Sequence, residues 1–351
     1  MHYIESLPGR TIELTDGSYL YFSGTAYLGL VQHPAFKELV TEGVNRYGVH
    51  YGGSRLAAVR LRLFEAAEAL LAHLSGAEAG LVLSSGTLAG QMALRVAHRP
   101  GAVYSFAPDV HPALWPEGCQ PAPDSFDTWV QSLCREAPQG PPLVLLTNSL
   151  DPLRARRYSF DWLLELPRER AVTLVIDDSH GFGLCGPAGG GIRPQLPPCP
   201  HIEVVVISSL GKAFGIPGGA ILASADFIRR IWESPFFGGA SPGAPAFLHA
   251  FLEGQALYRS ARERLRRNVD TLHRLLPPGH PLQGFDGYPV LFCPDPQLAP
   301  YLHRHRILIS HFSYPTPQDA AIARLVLNSL HTRKDIESLA ALIGKWLEEK
   351  K

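Results

Sequence analysis

Three short stretches hold side chains whose types and spacing could do chemistry. In the first, the β-branched run Val204-Val205-Val206-Ile207 breaks into Ser208 and Ser209, and Lys212 follows among small and apolar residues. The chain then turns through Phe214-Gly215-Ile216-Pro217-Gly218-Gly219 into a second apolar run. A partly desolvated ammonium loses its proton more readily and can act as a nucleophile or Schiff-base former. Taken alone, the stretch fits a loop lysine reaching solvent equally well. In the second stretch, Asp177-Asp178-Ser179-His180 closes the apolar run 172–176. In the third, Ser84-Ser85-Gly86-Thr87 stands between the apolar run 80–83 and a helical pattern over 88–97. Strand, small-residue turn and helix start together make an anion site, because free N–H groups and the helix dipole face the ligand. An ordinary serine-capped helix is the plainer reading of that turn.

The elements that must position these residues alternate along the chain. Strands are expected at 102–105, 143–146, 172–176 and 204–207, with helices at 88–97, 125–135 and 160–166 between them. This βαβα rhythm predicts an α/β fold with a doubly wound, mostly parallel sheet. Ligands of such sheets sit at the C-terminal strand ends. Both the Asp177–His180 group and Lys212 follow such ends, so they face one crevice. Upstream, 11–14 and 19–22 flank Asp16-Gly17, a hairpin signal. Helices are expected at 34–47 and 61–74, and one long helical stretch at 245–273. Downstream, 287–292, 307–309 and 323–327 read as a second, mainly antiparallel set of strands. A last helix opens near Thr332, with Asp335 as a capping signal. The expected division is an arm over 1–33 packed with the C-terminal domain, a large domain over 34–240 and a smaller α+β domain over 241–351.

An isolated lysine, a carboxylate at a neighbouring strand end and an anion-binding turn together suit pyridoxal phosphate. Lysine condenses with its aldehyde, a carboxylate keeps the pyridine nitrogen protonated so the ring withdraws electrons, and a helix start takes the phosphate. Other motifs fit less well. Gly211-Lys212 lacks the upstream glycine of a phosphate-binding Walker loop, and Ala213 stands where Ser or Thr is needed. No GxGxxG follows the first strand, and no second His/Asp cluster is placed to complete a metal site, so no metal is expected.

With these residues in place, the sequence resembles the α-oxoamine synthases of the fold-type-I pyridoxal phosphate enzymes. The likeness runs from about Tyr19 to the end. It is carried by Tyr27-Leu28-Gly29-Leu30, Gly52-Gly53-Ser54-Arg55-Leu56, Ser85-Gly86, Asp177-Asp178-Ser179-His180-Gly181-Phe182-Gly183, Gly186-Pro187 and Leu210-Gly211-Lys212-Ala213-Phe214-Gly215. The resemblance implies that Lys212 holds the cofactor and moves the Cα proton, that Asp177 pairs with the pyridinium nitrogen, and that His180 hydrogen-bonds the ring phenolic oxygen. It implies that His111 stacks on the ring, although a plain loop histidine beside Pro112 is the alternative. Gly86 and Thr87 would offer backbone amides to the phosphate, joined by the Ser209 hydroxyl. Arg324 matches the arginine that clamps the amino-acid carboxylate, a task suited to a guanidinium; a surface charge on a strand is the alternative.

The implied reaction is a decarboxylative condensation of a small amino acid with an acyl-CoA or acyl-carrier thioester, giving an α-amino ketone. A pyridoxal phosphate aminotransferase, or a catalytically reduced member acting as a partner subunit, are the alternatives. A homodimer is expected from the resemblance. Several family positions differ here: Thr25-Ala26 replaces Asn-Asp, Thr87 stands where an aromatic is usual, and Thr147-Asn148-Ser149-Leu150-Asp151-Pro152 replaces an acidic residue and the segment after it.

Composition narrows the partners. The chain has 351 residues, 46% hydrophobic and 18% charged, the make-up of an ordinary globular protein. Lys+Arg and Asp+Glu are equal at 32 each, so no overall field draws nucleic acid or an anionic membrane. Five scattered cysteines form no CxxC pair and no disulfide framework. With no apolar signal core at the start and no membrane-length apolar run, a cytoplasmic location is expected.

Overall fold

The structure, a computed structural model, describes residues 3–116, 119, 125–135, 140–313, 318 and 321–350. Two compact units emerge. One takes Ala35–Leu150 and Tyr158–Gln255; the other takes Met1–Pro34, Asp151–Arg157 and Ala256–Lys351.

The first unit is built on a six-stranded sheet. Its order is Ala79–Leu83, Gly219–Ala223, Ile202–Ser209, Val172–Asp177, Leu143–Asn148 and Val103–Phe106. The last four of these run parallel, whereas Gly219–Ala223 is antiparallel to both of its neighbours. The sheet is therefore mostly parallel and α/β, as expected. Leu143–Asn148 and Val172–Asp177 are buried at every position, the mark of strands covered on both faces. Helix Gly86–Ala97 lays Ala89, Met92, Ala93 and Ala97 on Val144, Val175, Val205 and Ile207, with Phe227 and Ile231 of helix Ala225–Glu233 in the same cluster. Fully burying one such Val, Leu, Ile or Phe side chain contributes about 1.5–3 kcal/mol.

The second unit is a five-stranded sheet in the order Thr11–Leu14, Gly17–Phe22, Ile307–Ser313, Ala321–Val326, Val290–Cys293. Its pairs are antiparallel except Gly17–Phe22 with Ile307–Ser313, which is parallel. The N-terminal hairpin thus extends the C-terminal sheet. Helix Arg333–Glu349 starts with a capping box: the Thr332 hydroxyl accepts from the Asp335 N–H, and the Asp335 carboxylate accepts from the Thr332 N–H.

Two expected elements differ. The helix expected at 160–166 is a 3₁₀ turn, Asp161–Glu165, closed off by Pro167, which disfavours helical geometry at the residue before it. The long stretch 245–273 is two helices, Pro245–Glu253 and Gln255–Leu275, separated at Gly254. Pro245–Glu253, expected in the smaller domain, groups with the first unit. Its Ala246 backbone packs on Gly43 so closely that a Cβ there would meet Ala246 Cα at 2.8 Å. No described helix is long and apolar enough to cross a membrane.

Candidate active site

Parallel pairing sets the frame of the site. Asp177 stands in register with Ile207 on one side and Asn148 on the other. The backbone then knits two strand ends together. The Asp178 N–H donates to the Ile207 carbonyl at 2.8 Å, and the Ser209 N–H donates to the Ser179 hydroxyl at 2.7 Å. The Ser179 N–H in turn donates to Asp177 Oδ1 at 2.9 Å. Asp177 is 7% exposed. A carboxylate so buried persists only with partners, and Ser179 supplies one.

His111 stands beside the same carboxylate. It precedes the short 3₁₀ turn Pro112–Leu114, and its Nδ1 accepts the Ala113 N–H at 3.1 Å. That bond leaves the ring hydrogen of the neutral tautomer on Nε2. Nδ1 also lies 3.8 Å from Asp177 Oδ2. Burial lowers the His111 pKa first; the Asp177 charge opposes this and the Lys212 charge adds to it. The half-buried Lys212 ammonium is therefore electrostatically coupled to His111, and His111 to Asp177.

The anion turn lies against the same strand ends. Gly219 pairs with Leu83 and with Ser209, so the turns after these two strands meet across one intervening strand. Ser85 caps helix Gly86–Ala97: its hydroxyl accepts from the Leu88 N–H at 3.1 Å and its carbonyl from the Ala89 N–H at 3.0 Å. Gly86 and Thr87 occupy the first turn, where N–H groups have no intrahelical acceptor. Thr87 is exposed and Ser209 half-buried. A Cβ on Gly86 would approach Ser209 Cβ to 2.9 Å, so glycine is required for this closeness.

The turn after Asp177 is held by Asp178, which is 1% exposed. Its Oδ2 accepts the Ile192 N–H at 2.7 Å, and a Cβ at Gly181 or Gly191 would collide with its carboxylate. Burial pushes the Asp178 carboxyl up to about 7; the Ser149 hydroxyl and the Ile192 N–H oppose the rise, and the neighbouring Asp177 charge adds to it. His180 is half-buried in the turn that this carboxyl anchors.

The structure thus brings Lys212, Asp177, His180, His111, Gly86, Thr87 and Ser209 to the sheet of one unit. Arg324 belongs to the other unit. It lies on Ala321–Val326, in register with Phe292 and Ser310, is 7% exposed, donates from Nη1 to the Pro152 carbonyl at 2.6 Å and lies over the Phe312 ring. It is not the surface charge that its strand position also allowed. Asn148 and Ser179 were not singled out as site residues. The signal for Asn148 was a polar residue ending a wholly buried strand beside Asp177. Ser179 offered none beyond its place in the Asp-Asp-Ser-His run.

The donor set suits pyridoxal phosphate: a buried carboxylate for a pyridinium, a neutral imidazole beside it, a lysine, and a glycine cradle at a capped helix start with a serine hydroxyl against it.

Comparison with known proteins agrees. The family model for aminotransferase class I and II matches residues 122–343. An 8-amino-7-oxononanoate synthase of Geobacter sulfurreducens is 30% identical over 285 residues, covering 74% of this chain and 71% of the relative. One from Nitrosomonas eutropha is 29% identical, covering 96% and 91%. A serine palmitoyltransferase from S. paucimobilis, solved with bound PLP-myriocin aldimine, shares the fold at a TM-score of 0.81 and 16% identity, covering 99% of this chain and 93% of that one. With strand order, strand-end residues and family match in agreement, this chain belongs to the aminotransferase class I and II family and, within it, to the α-oxoamine synthases typified by 8-amino-7-oxononanoate synthase.

Proposed function

We propose that the protein is a pyridoxal phosphate-dependent acyltransferase that joins a small amino acid to an acyl-CoA or acyl-carrier thioester, releasing the thiol and carbon dioxide and yielding an α-amino ketone. The observation that carries this reading is the buried Asp177 carboxylate at a strand end, 3.8 Å from His111, whose imidazole also feels the Lys212 charge. The relatives named 8-amino-7-oxononanoate synthase support the reaction class.

Bound pyridoxal phosphate supplies an electron-withdrawing ring for charge that develops at the amino-acid Cα. The chain's own residues do the rest. Asp177 would pair with the protonated ring nitrogen, and its burial would strengthen that ion pair. His111 would stack on the ring. His180 would hydrogen-bond the phenolic oxygen. The Gly86 and Thr87 N–H groups and the Ser209 hydroxyl would bind the phosphate. Lys212 takes the proton from Cα and returns one after carbon dioxide leaves. Arg324 orients the amino-acid carboxylate through parallel N–H donors. The active form is a homodimer, a reading supported by the exposed apolar side chains Val49, Leu56, Val59 and Phe236.

The test is to load the purified protein with pyridoxal phosphate and supply small amino acids with a panel of acyl thioesters. The expected result is a visible absorption band and thiol release that requires both substrates, with Lys212→Ala abolishing both. Absence of thiol release across the panel, with pyridoxamine phosphate forming from amino donors, would instead establish an aminotransferase.

A further inference from the structure

Asn148 ends the central strand Leu143–Asn148 and is 5% exposed. Its amide spans one short loop. Nδ2 donates to the Asp109 carbonyl at 2.7 Å, and Oδ1 accepts the His111 N–H at 3.1 Å. The bonded segment follows directly on Asp109, which takes a left-handed φ of 57, a conformation Asp adopts more readily than most non-glycine residues. His111 is then fixed twice: its backbone by Asn148, and its ring by the Ala113 N–H on Nδ1. Gln91 steadies the far side by donating to the carbonyls of Ala113 and Trp115.

We infer that Asn148 is a positioning residue that sets His111 over the Asp177 carboxylate by gripping the backbone on both sides of Val110. Only a carboxamide does this in one side chain. An ionised carboxylate could accept from His111 but has no hydrogen for the Asp109 carbonyl. It would also add a second negative charge in register with Asp177. Leucine or alanine would leave the Asp109 carbonyl and the His111 N–H without this partner. Asn148 touches no reacting atom in this scheme; it acts through His111.

The inference rests on the reading of Asp177 and His111 as cofactor residues, and the experiment separates the two. Amide exchange and the imidazole NMR titration of His111 are followed in the cofactor-free protein for the wild type, Asn148→Ala and Asn148→Asp. Pyridoxal phosphate affinity and visible circular dichroism are followed in the same proteins and in the His111→Ala background. Asn148→Ala is expected to speed exchange at the His111 amide about tenfold, since opening no longer breaks a bond. It is expected to move the His111 titration toward that of ordinary histidine and to weaken cofactor affinity about tenfold. Asn148→Asp keeps the acceptor, so it should restore slow exchange at His111 while affinity stays reduced, a separation that simple misfolding does not produce. In the His111→Ala background the cofactor effect of Asn148→Ala should vanish, as coupled residues require. Unchanged exchange and titration in Asn148→Ala, or a cofactor effect that persists without His111, would overturn the inference. A wild-type protein that binds no pyridoxal phosphate would defeat the proposed function, and exchange with imidazole titration would still decide the role of Asn148.

Discussion

Gly86 and Ser209 meet backbone to backbone: a Cβ on Gly86 would lie 2.9 Å from Ser209 Cβ and 3.0 Å from its Cα. The approach exists because Gly219 is paired with Leu83 on one edge and Ser209 on the other, so the two turns share one strand as a spacer. Gly86→Ala must push the helix start away from Ser209 and spread the phosphate-binding groups. It should weaken pyridoxal phosphate binding about tenfold, or about 1.4 kcal/mol, and lower thermal stability as well, since the clash is with Ser209 backbone. Titration of the cofactor-free variant checks this; wild-type affinity would remove the cradle from the site.

Arg55 and Glu68 form a buried two-pronged pair, Nη1 to Oε1 at 2.8 Å and Nη2 to Oε2 at 3.0 Å. Glu68 Oε1 also accepts the Val82 N–H at 2.9 Å, so the pair ties the loop holding Gly53-Ser54-Arg55 to an edge strand of the sheet. Burial raises the Glu68 pKa, and Arg55 pulls it back. Glu68→Ala leaves a guanidinium that is 3% exposed without its counter-charge, at a cost of about 3–5 kcal/mol. Chemical denaturation should show that loss, whereas a double replacement by apolar residues of similar volume should recover most of it.

His331 makes stability depend on pH. Its Nδ1 accepts the Asn328 N–H at 3.0 Å, its other nitrogen donates to the Tyr21 carbonyl, and its ring stacks on Phe22 at 3.9 Å. Burial holds its pKa down from 6.5 to about 4. Between those values the unfolded chain binds a proton that the folded chain refuses. The contribution, about 3 kcal/mol, is therefore present above pH 6.5 and lost as pH falls toward 4. Urea midpoints measured across that window should fall with acid in the wild type and fall less steeply in His331→Gln.

Arg324 is buried, and among the described residues its Nη1 has one acceptor, the Pro152 carbonyl, while Nε has none. If it orients the substrate carboxylate, Arg324→Lys should raise KM for the amino acid about tenfold while kcat changes less, since a lysine gives up the paired geometry. Steady-state kinetics with varied amino acid tests this. An unchanged KM would assign Arg324 to the packing of its own sheet alone.

The sequence by itself determined the local elements and the chemistry-bearing set. Apolar runs of strand length, helix-period stripes, and the glycine and serine turns that end them are local signals, so the strands before Asp178 and Lys212 and the helix after Ser85 were legible from spacing. The capping box at Thr332 was legible for the same reason. The tertiary structure decided what depends on non-local pairing. That Gly219 lies between Leu83 and Ser209, that Asn148 faces Asp177 and grips the His111 loop, and that Arg324 is buried with its guanidinium over Phe312 all follow from strand order and register. The break at Gly254 and the short turn at Asp161–Glu165 belong to the same class. Helical pattern continues through both, but the chain leaves it at Gly254 in one case, and Pro167 overrides it in the other. A residue's own neighbours in sequence set its preference, while its neighbours across the sheet set its role.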